Sequence, residues 1–225
     1  MADVKGHLLP VYIAADESGS MGPHLAELNQ GLASLHQALR GDPMVAAKVR
    51  LTVLGFSGKV AVRLPLADVR DLAEMPKIKV GGTTSYLAAF DDLLQRIPRD
   101  VQSLKREGYE VHRPAVFFLT DGQPDLGQDW RASHARLTDR SATPGAPNII
   151  ACGVGQAHAP TIVDVATTTE FAFIAVRGAD IGQAITEFFM RLTASVIHSG
   201  QSLASGSPTL TFSRPDQFVM AIDVV

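Results

Sequence analysis

A single cysteine, Cys152, rules out any internal disulfide. It sits in the apolar run 148–154, which suits a buried structural thiol rather than a reactive one. Charge is also scarce. Only 19% of the 225 residues are Asp, Glu, Lys or Arg, too few for a long disordered segment. The net charge of -3 leaves no basic footprint for nucleic acid, and the basic residues form no run that would mark a membrane-binding patch. No apolar stretch approaches the roughly 20 residues of a membrane-spanning helix. Residues 1–9 carry Asp3, Lys5 and His7 and lack an apolar h-region, so no secretory signal is expected and the chain reads as cytoplasmic. There is no internal repeat. The seven histidines, His7, His24, His36, His112, His134, His158 and His198, form no close ligand pair along the sequence, so solvated or capping roles are expected rather than zinc binding.

What is present is alternation. Residues 8–15 are continuously apolar, as in a strand buried on both faces. Leu25, Leu28, Leu32, Leu35 and Leu39 follow in steps of three and four, one stripe of a helix that Gly41-Asp42-Pro43 ends. Residues 49–56 and 60–66 read as two strands around Ser57-Gly58-Lys59, a hairpin that adds one antiparallel edge. A helix striped by Leu87, Phe90, Leu94 and Ile97 follows a Gly81-Gly82-Thr83-Thr84-Ser85 loop, with Ser85 or Thr84 as cap. Strands at 115–119, 148–154 and 171–176 then alternate with short helices near 129–138 and 161–166. Ile181, Ile185, Phe188, Leu192 and Val196 stripe a last helix. This order predicts a doubly wound α/β fold: a mostly parallel, six-stranded, Rossmann-like sheet with helices on both faces. The main domain is expected over residues 1–198. Residues 199–225 then form a Gly/Ser-rich linker and a C-terminal β-hairpin, with strands at 209–213 and 217–225.

The chemistry gathers where strands stop. The first strand ends in Asp16-Glu17-Ser18-Gly19-Ser20, and residues 115–119 run into Thr120-Asp121-Gly122. In open α/β sheets, ligands bind at strand carboxyl ends near a switch in strand order. Asp16, Ser18 and Ser20 offer hard oxygens, only one of them charged, which suits a small divalent cation. Thr83 and Asp121 lie in loops expected on the same sheet edge.

On these residues the chain resembles the von Willebrand factor type A domains, the fold shared with integrin I domains. Their metal-ion-dependent adhesion site uses Asp-x-Ser-x-Ser, a loop Thr and a later Asp. By position, the resemblance implies Asp16, Ser18, Ser20, Thr83 and Asp121 as the metal residues. Thr83 is preferred to Thr84 because the family threonine follows the pair of small residues. The match covers roughly residues 8–198. It implies Mg²⁺ or Mn²⁺, with Ca²⁺ as a third candidate, and an open coordination position that takes an acidic side chain from a protein partner. No general base or nucleophile is implied, so no enzyme is expected. Leu9-Pro10-Val11-Tyr12, Leu28-Asn29-Gln30-Gly31-Leu32 and residues 188–202 are similar to the bacterial tellurium-resistance-associated branch. That likeness implies a stress-response role beside kinase-like and phosphatase proteins. Glu17, where the family has a small or neutral residue, is expected to point into solvent at the rim, and Asp125 to be a turn acid. Trp130 is expected to anchor its helix.

Three other readings fit less well. A haloacid-dehalogenase-like phosphatase would need a second Asp where Ser18 stands. A dinucleotide enzyme would need a third glycine after Gly153-Val154-Gly155. A metal-independent scaffold would not need all five oxygen donors.

Overall fold

The computed structural model describes residues 4–204 and 210–224. Its elements run β1 (His7–Asp16), α1 (Leu25–Gly41), α2 (Pro43–Ala46), β2 (Val49–Phe56), β3 (Val60–Asp68), α3 (Tyr86–Arg106), β4 (Glu110–Val111), β5 (Ala115–Thr120), α4 (Trp130–Thr138), β6 (Asn148–Gly153), α5 (Ala159–Val165), β7 (Ala172–Ala175), α6 (Ile181–Ala204) and β8 (Phe218–Met220).

The strands form one sheet in the order β3-β2-β1-β5-β6-β7-β8, with β4 pairing the start of β1. β1, β2, β5, β6 and β7 are parallel; β3 and β8 close the two edges antiparallel. The fold is the expected mixed α/β sandwich, with eight strands instead of six. The two additions, β4 and β8, are two and three residues long. β8 falls within the strand expected at 217–225 and joins the sheet edge, whereas β4 is too short to carry a periodicity of its own and is made a strand by tertiary pairing.

Side-chain alternation on the strands divides the core between the two faces. Leu9, Val11, Ile13 and Ala15 of β1 pack with Leu28, Leu32, Leu35 and Leu39 of α1 and with Ile185, Phe188, Leu192 and Val196 of α6. Tyr12 and Ala14 face the other way, onto Tyr86, Phe90, Leu93 and Ile97 of α3, Trp130 of α4 and Ile162 of α5. Cys152 is fully buried, as its apolar run predicts, and burial raises its thiol pKa well above the ordinary value. Trp130 is 1% exposed and stacks on Phe90, so it anchors its helix and lines no surface.

Near the C-terminus α6 runs past residue 198 to Ala204. Of the two strands expected beyond it, only the second forms among the described residues, and it pairs with β7 rather than in a hairpin. The rest of the expected Gly/Ser linker, with Thr209, lies outside the described residues. No helix among the described residues is long and apolar enough to cross a membrane.

Candidate functional site

β1 has β2 on one side and β5 on the other, so the chain leaves it in opposite directions at this point of the sheet. Such a switch opens a crevice at the carboxyl ends of the two strands. Asp16 is the last residue of β1, and Thr120 is the last of β5. Four of the five expected residues meet there. The Ser20 hydroxyl donates to Asp121 Oδ1 at 3.0 Å, Ser18 Oγ lies 3.1 Å from Ser20 Oγ, and Ser18 Oγ lies 3.5 Å from Asp121 Oδ1.

Asp16 sits behind this triangle with none of its surface exposed. The Ser18 backbone N–H donates to its Oδ1 at 2.8 Å and the Thr120 hydroxyl to its Oδ2 at 2.7 Å. Burial pushes the Asp16 carboxyl up to about 6, against the lowering effect of those two hydrogen bonds; the nearby Asp121 adds a smaller upward push.

The fifth residue, Thr83, makes no hydrogen bond to the Ser18, Ser20 and Asp121 side chains. Thr83 is exposed, and a Cβ built on Gly58, in the β2–β3 turn, would lie 3.2 Å from its Oγ1. Its neighbour Thr84 is buried, and a Cβ built on Gly122 would lie 3.7 Å from its Oγ1. Thr84 is also tied to the Asp121 loop: Asp125 N–H donates to its carbonyl at 2.9 Å, and its N–H donates to Asp125 Oδ1 at 3.3 Å. Asp125 is thus a clamp between two loops. The Gly-Gly pair before these threonines comes equally close to the first loop. Gly81 N–H donates to Glu17 O, Gly19 N–H donates to Gly82 O at 3.0 Å, and a Cβ on Gly81 would strike Ser57 Oγ at 2.4 Å.

Glu17 departs from the sequence expectation. It is 2% exposed and forms a two-pronged ion pair with Arg63 of β3, at 2.7 and 2.9 Å. The space it occupies exists because residue 55 is glycine: a Cβ there would lie 1.9 Å from the Glu17 carboxyl. Glu17 therefore turns away from the Asp16–Asp121 crevice and adds no free charge to its rim. Sequence reasoning also missed Thr120 and Tyr86. The Tyr86 hydroxyl reaches the Gly122 carbonyl at 3.1 Å and Thr120 Oγ1 at 3.3 Å, bracing the loop that carries Asp121. A hydroxyl residue ending an apolar strand just before an acid was the available signal for Thr120. The histidines need a correction too, because strand pairing brings the His7 and His112 ring nitrogens to 3.3 Å.

The oxygen cluster suits a small cation. An octahedral ion bound at about 2.0–2.1 Å needs neighbouring ligand oxygens about 3 Å apart. The Ser18–Ser20 and Ser20–Asp121 separations of 3.1 and 3.0 Å meet that requirement.

No protein-family model matches the chain, and no curated protein matches its sequence. Solved structures do match its fold. Proximal thread matrix protein 1 from the mussel byssus, solved with zinc in its MIDAS motif, superposes with a TM-score of 0.62 at 15% identity, over 87% of this chain and 49% of that one. A von Willebrand factor type A protein from Catenulispora acidiphila gives 0.54 at 16% identity, over 85% and 43%. The open conformation of the pilus adhesin SpaC from Lactobacillus rhamnosus GG gives 0.62 at 14% identity, over 86% and 30%. The chain spans less than half the length of each of these. At such low identity the likeness speaks for architecture alone, and on that basis the chain has the fold of the von Willebrand factor A-type domains.

Proposed function

We propose that this protein is a metal-dependent protein-interaction module. Ser18, Ser20 and Asp121 would hold a divalent cation, Mg²⁺ or Mn²⁺ with Ca²⁺ as a third candidate. Asp16 would support them from behind, and the loop threonine, Thr83 by sequence position, would complete the protein's oxygen set. The observation that carries this reading is the convergence of three oxygens from two loops on edges of 3.0, 3.1 and 3.5 Å, in front of a buried carboxyl. When bound, the cation supplies positive charge and an exchangeable coordination position at a strand-end crevice.

The partner chemistry follows from charge. Glu17 is neutralised by Arg63, so Asp16 and Asp121 are the acids that face the crevice. A divalent ion would offset both, and an Asp or Glu side chain from another protein fits its remaining position. A cytoplasmic stress-response assembly with kinase-like and phosphatase proteins rests on the resemblance to the tellurium-resistance branch alone. Leu9, Val11, Tyr12, Leu28 and Leu32, which carry part of that likeness, are all core residues and so bear on packing rather than on a partner. A phosphatase is disfavoured because Ser18 stands where that chemistry needs an acid.

Calorimetric titration of Mg²⁺ and Mn²⁺ into the wild type and into Asp121→Ala tests the reading. Binding by the wild type and its loss in the variant, with an unchanged far-ultraviolet spectrum, is the expected outcome. Equal binding by both chains would remove Asp121 from the site, and with it the proposed metal bridge.

A further inference from the structure

A second group of potential ligands lies at the opposite end of β1. His7 opens that strand and pairs in register with Glu110 of β4. His112 follows Glu110 by two residues, the spacing that returns side chains to the same face of an extended chain. The backbone there is fixed, since Glu110 N–H donates to Gly6 O at 2.9 Å and His112 N–H to Leu8 O at 2.8 Å. These pairings place His7 Nδ1 3.3 Å from His112 Nε2 and 3.5 Å from Glu110 Oε2. One ligand atom from each of the three side chains lies within 4.8 Å of the other two.

We infer that His7, Glu110 and His112 form a binding site for a borderline transition cation of the Zn²⁺ class, separate from the oxygen-donor crevice. The donor set decides the class of ion. Two imidazoles and one carboxylate match zinc, whereas Mg²⁺ and Ca²⁺ favour shells made of oxygen. The spacing agrees. Tetrahedral Zn²⁺ with bonds of about 2.0–2.1 Å holds its ligands about 3.3–3.4 Å apart, close to the observed 3.3 and 3.5 Å. The His7 and Glu110 side chains are 47% and 59% exposed, so an ion can enter from solvent without opening the fold. Three protein ligands leave a fourth position for water or for a side chain from another molecule. The ion would also clip the two-residue β4, which lies off the main strand path, to the start of β1.

Zn²⁺ can compete for the oxygen site, so the experiment begins from the Asp121→Ala chain, with excess Mg²⁺ present to occupy any remaining oxygen donors. Calorimetric titration with Zn²⁺ is expected to show one ion bound per chain. Adding His7→Ala or His112→Ala should weaken binding about tenfold or more. Titration with Co²⁺ supplies a second reading that needs no further variant, because a tetrahedral site gives intense visible absorption bands. Absent Zn²⁺ binding in the Asp121→Ala chain, unchanged affinity in both histidine variants, or a Co²⁺ spectrum without tetrahedral bands would overturn the inference. Those results would leave the Mg²⁺ site untouched, so the two proposals fail independently.

Discussion

Burial holds the Asp16 carboxyl at about 6 although two hydrogen bonds favour its charged form. Its value in the fold lies above the 3.8 of an ordinary aspartate. The fold therefore favours protonated Asp16. The associated stability is fully present below about pH 4 and is lost as pH rises through about 6. A shift of roughly two units corresponds to about 3 kcal/mol between the two limits. At pH 7 without metal the protein thus carries an ionised, buried carboxylate that a nearby cation would relieve. Asp16→Asn removes the charge and keeps an oxygen to accept from Ser18 N–H. The Thr120 hydroxyl, freed from Asp16, still has the Gly122 carbonyl 3.4 Å away. In chelator at pH 7 this variant is expected to be more stable than the wild type by about 1–2 kcal/mol, less than the full shift because one acceptor is lost. At pH 4 that gain should vanish. Urea denaturation at both pH values measures it, and a variant less stable than the wild type at pH 7 would contradict the argument.

At the scale of elements, the first loop is held by groups outside the crevice. Glu17 separates Asp16 from Ser18 and is pinned to β3 by Arg63, while Gly81 and Gly82 hydrogen-bond to the same loop. Removing one member of a buried ion pair leaves an uncompensated charge, at a cost of about 3–5 kcal/mol. Arg63→Ala is expected to destabilise by about 3 kcal/mol, toward the low end because Arg63 is itself partly exposed. Combining it with Glu17→Gln should recover part of the loss. A double-mutant cycle by urea denaturation gives the coupling, and strict additivity would deny the pair a role in holding the loop. This ion pair also marks a limit of sequence reading. Long apolar or striped segments such as β1, β2, α1 and α6 are legible because burial and periodicity are local properties. Glu17 was misread because its partner is 46 residues away and its cavity depends on the missing side chain of Gly55. Asp16, Ser18, Ser20 and Asp121 were legible as strand-end oxygen donors. The arrangement of Thr83, Thr84 and Asp125 was not, because a Thr-Thr pair does not reveal which hydroxyl turns toward the neighbouring loop.

On the scale of the whole molecule, the crevice joins the two halves of the sheet. β1 and β5 supply the Asp16 and Asp121 loops, and α3 braces the second through Tyr86. An ion held by Ser18, Ser20 and Asp121 would link loops more than 100 residues apart in sequence. It would bind the folded chain and find no comparable site in the unfolded one. Stability must then rise with ion concentration, by about 2.7 kcal/mol at 100 times Kd. A domain of 150–250 residues gains roughly 2–4 °C per kcal/mol, so a rise of about 5–10 °C is expected. Ser18→Ala and Asp121→Ala should melt at the same temperature with Mg²⁺ as with chelator. Asp16→Asn is more informative, since it should melt above the wild type in chelator and show a smaller rise with Mg²⁺. Scanning calorimetry of the four chains, with and without Mg²⁺, separates a metal-linked fold from a merely well-packed one. If Mg²⁺ raises all four melting temperatures equally, the ion acts elsewhere and the strand-end crevice does not hold it.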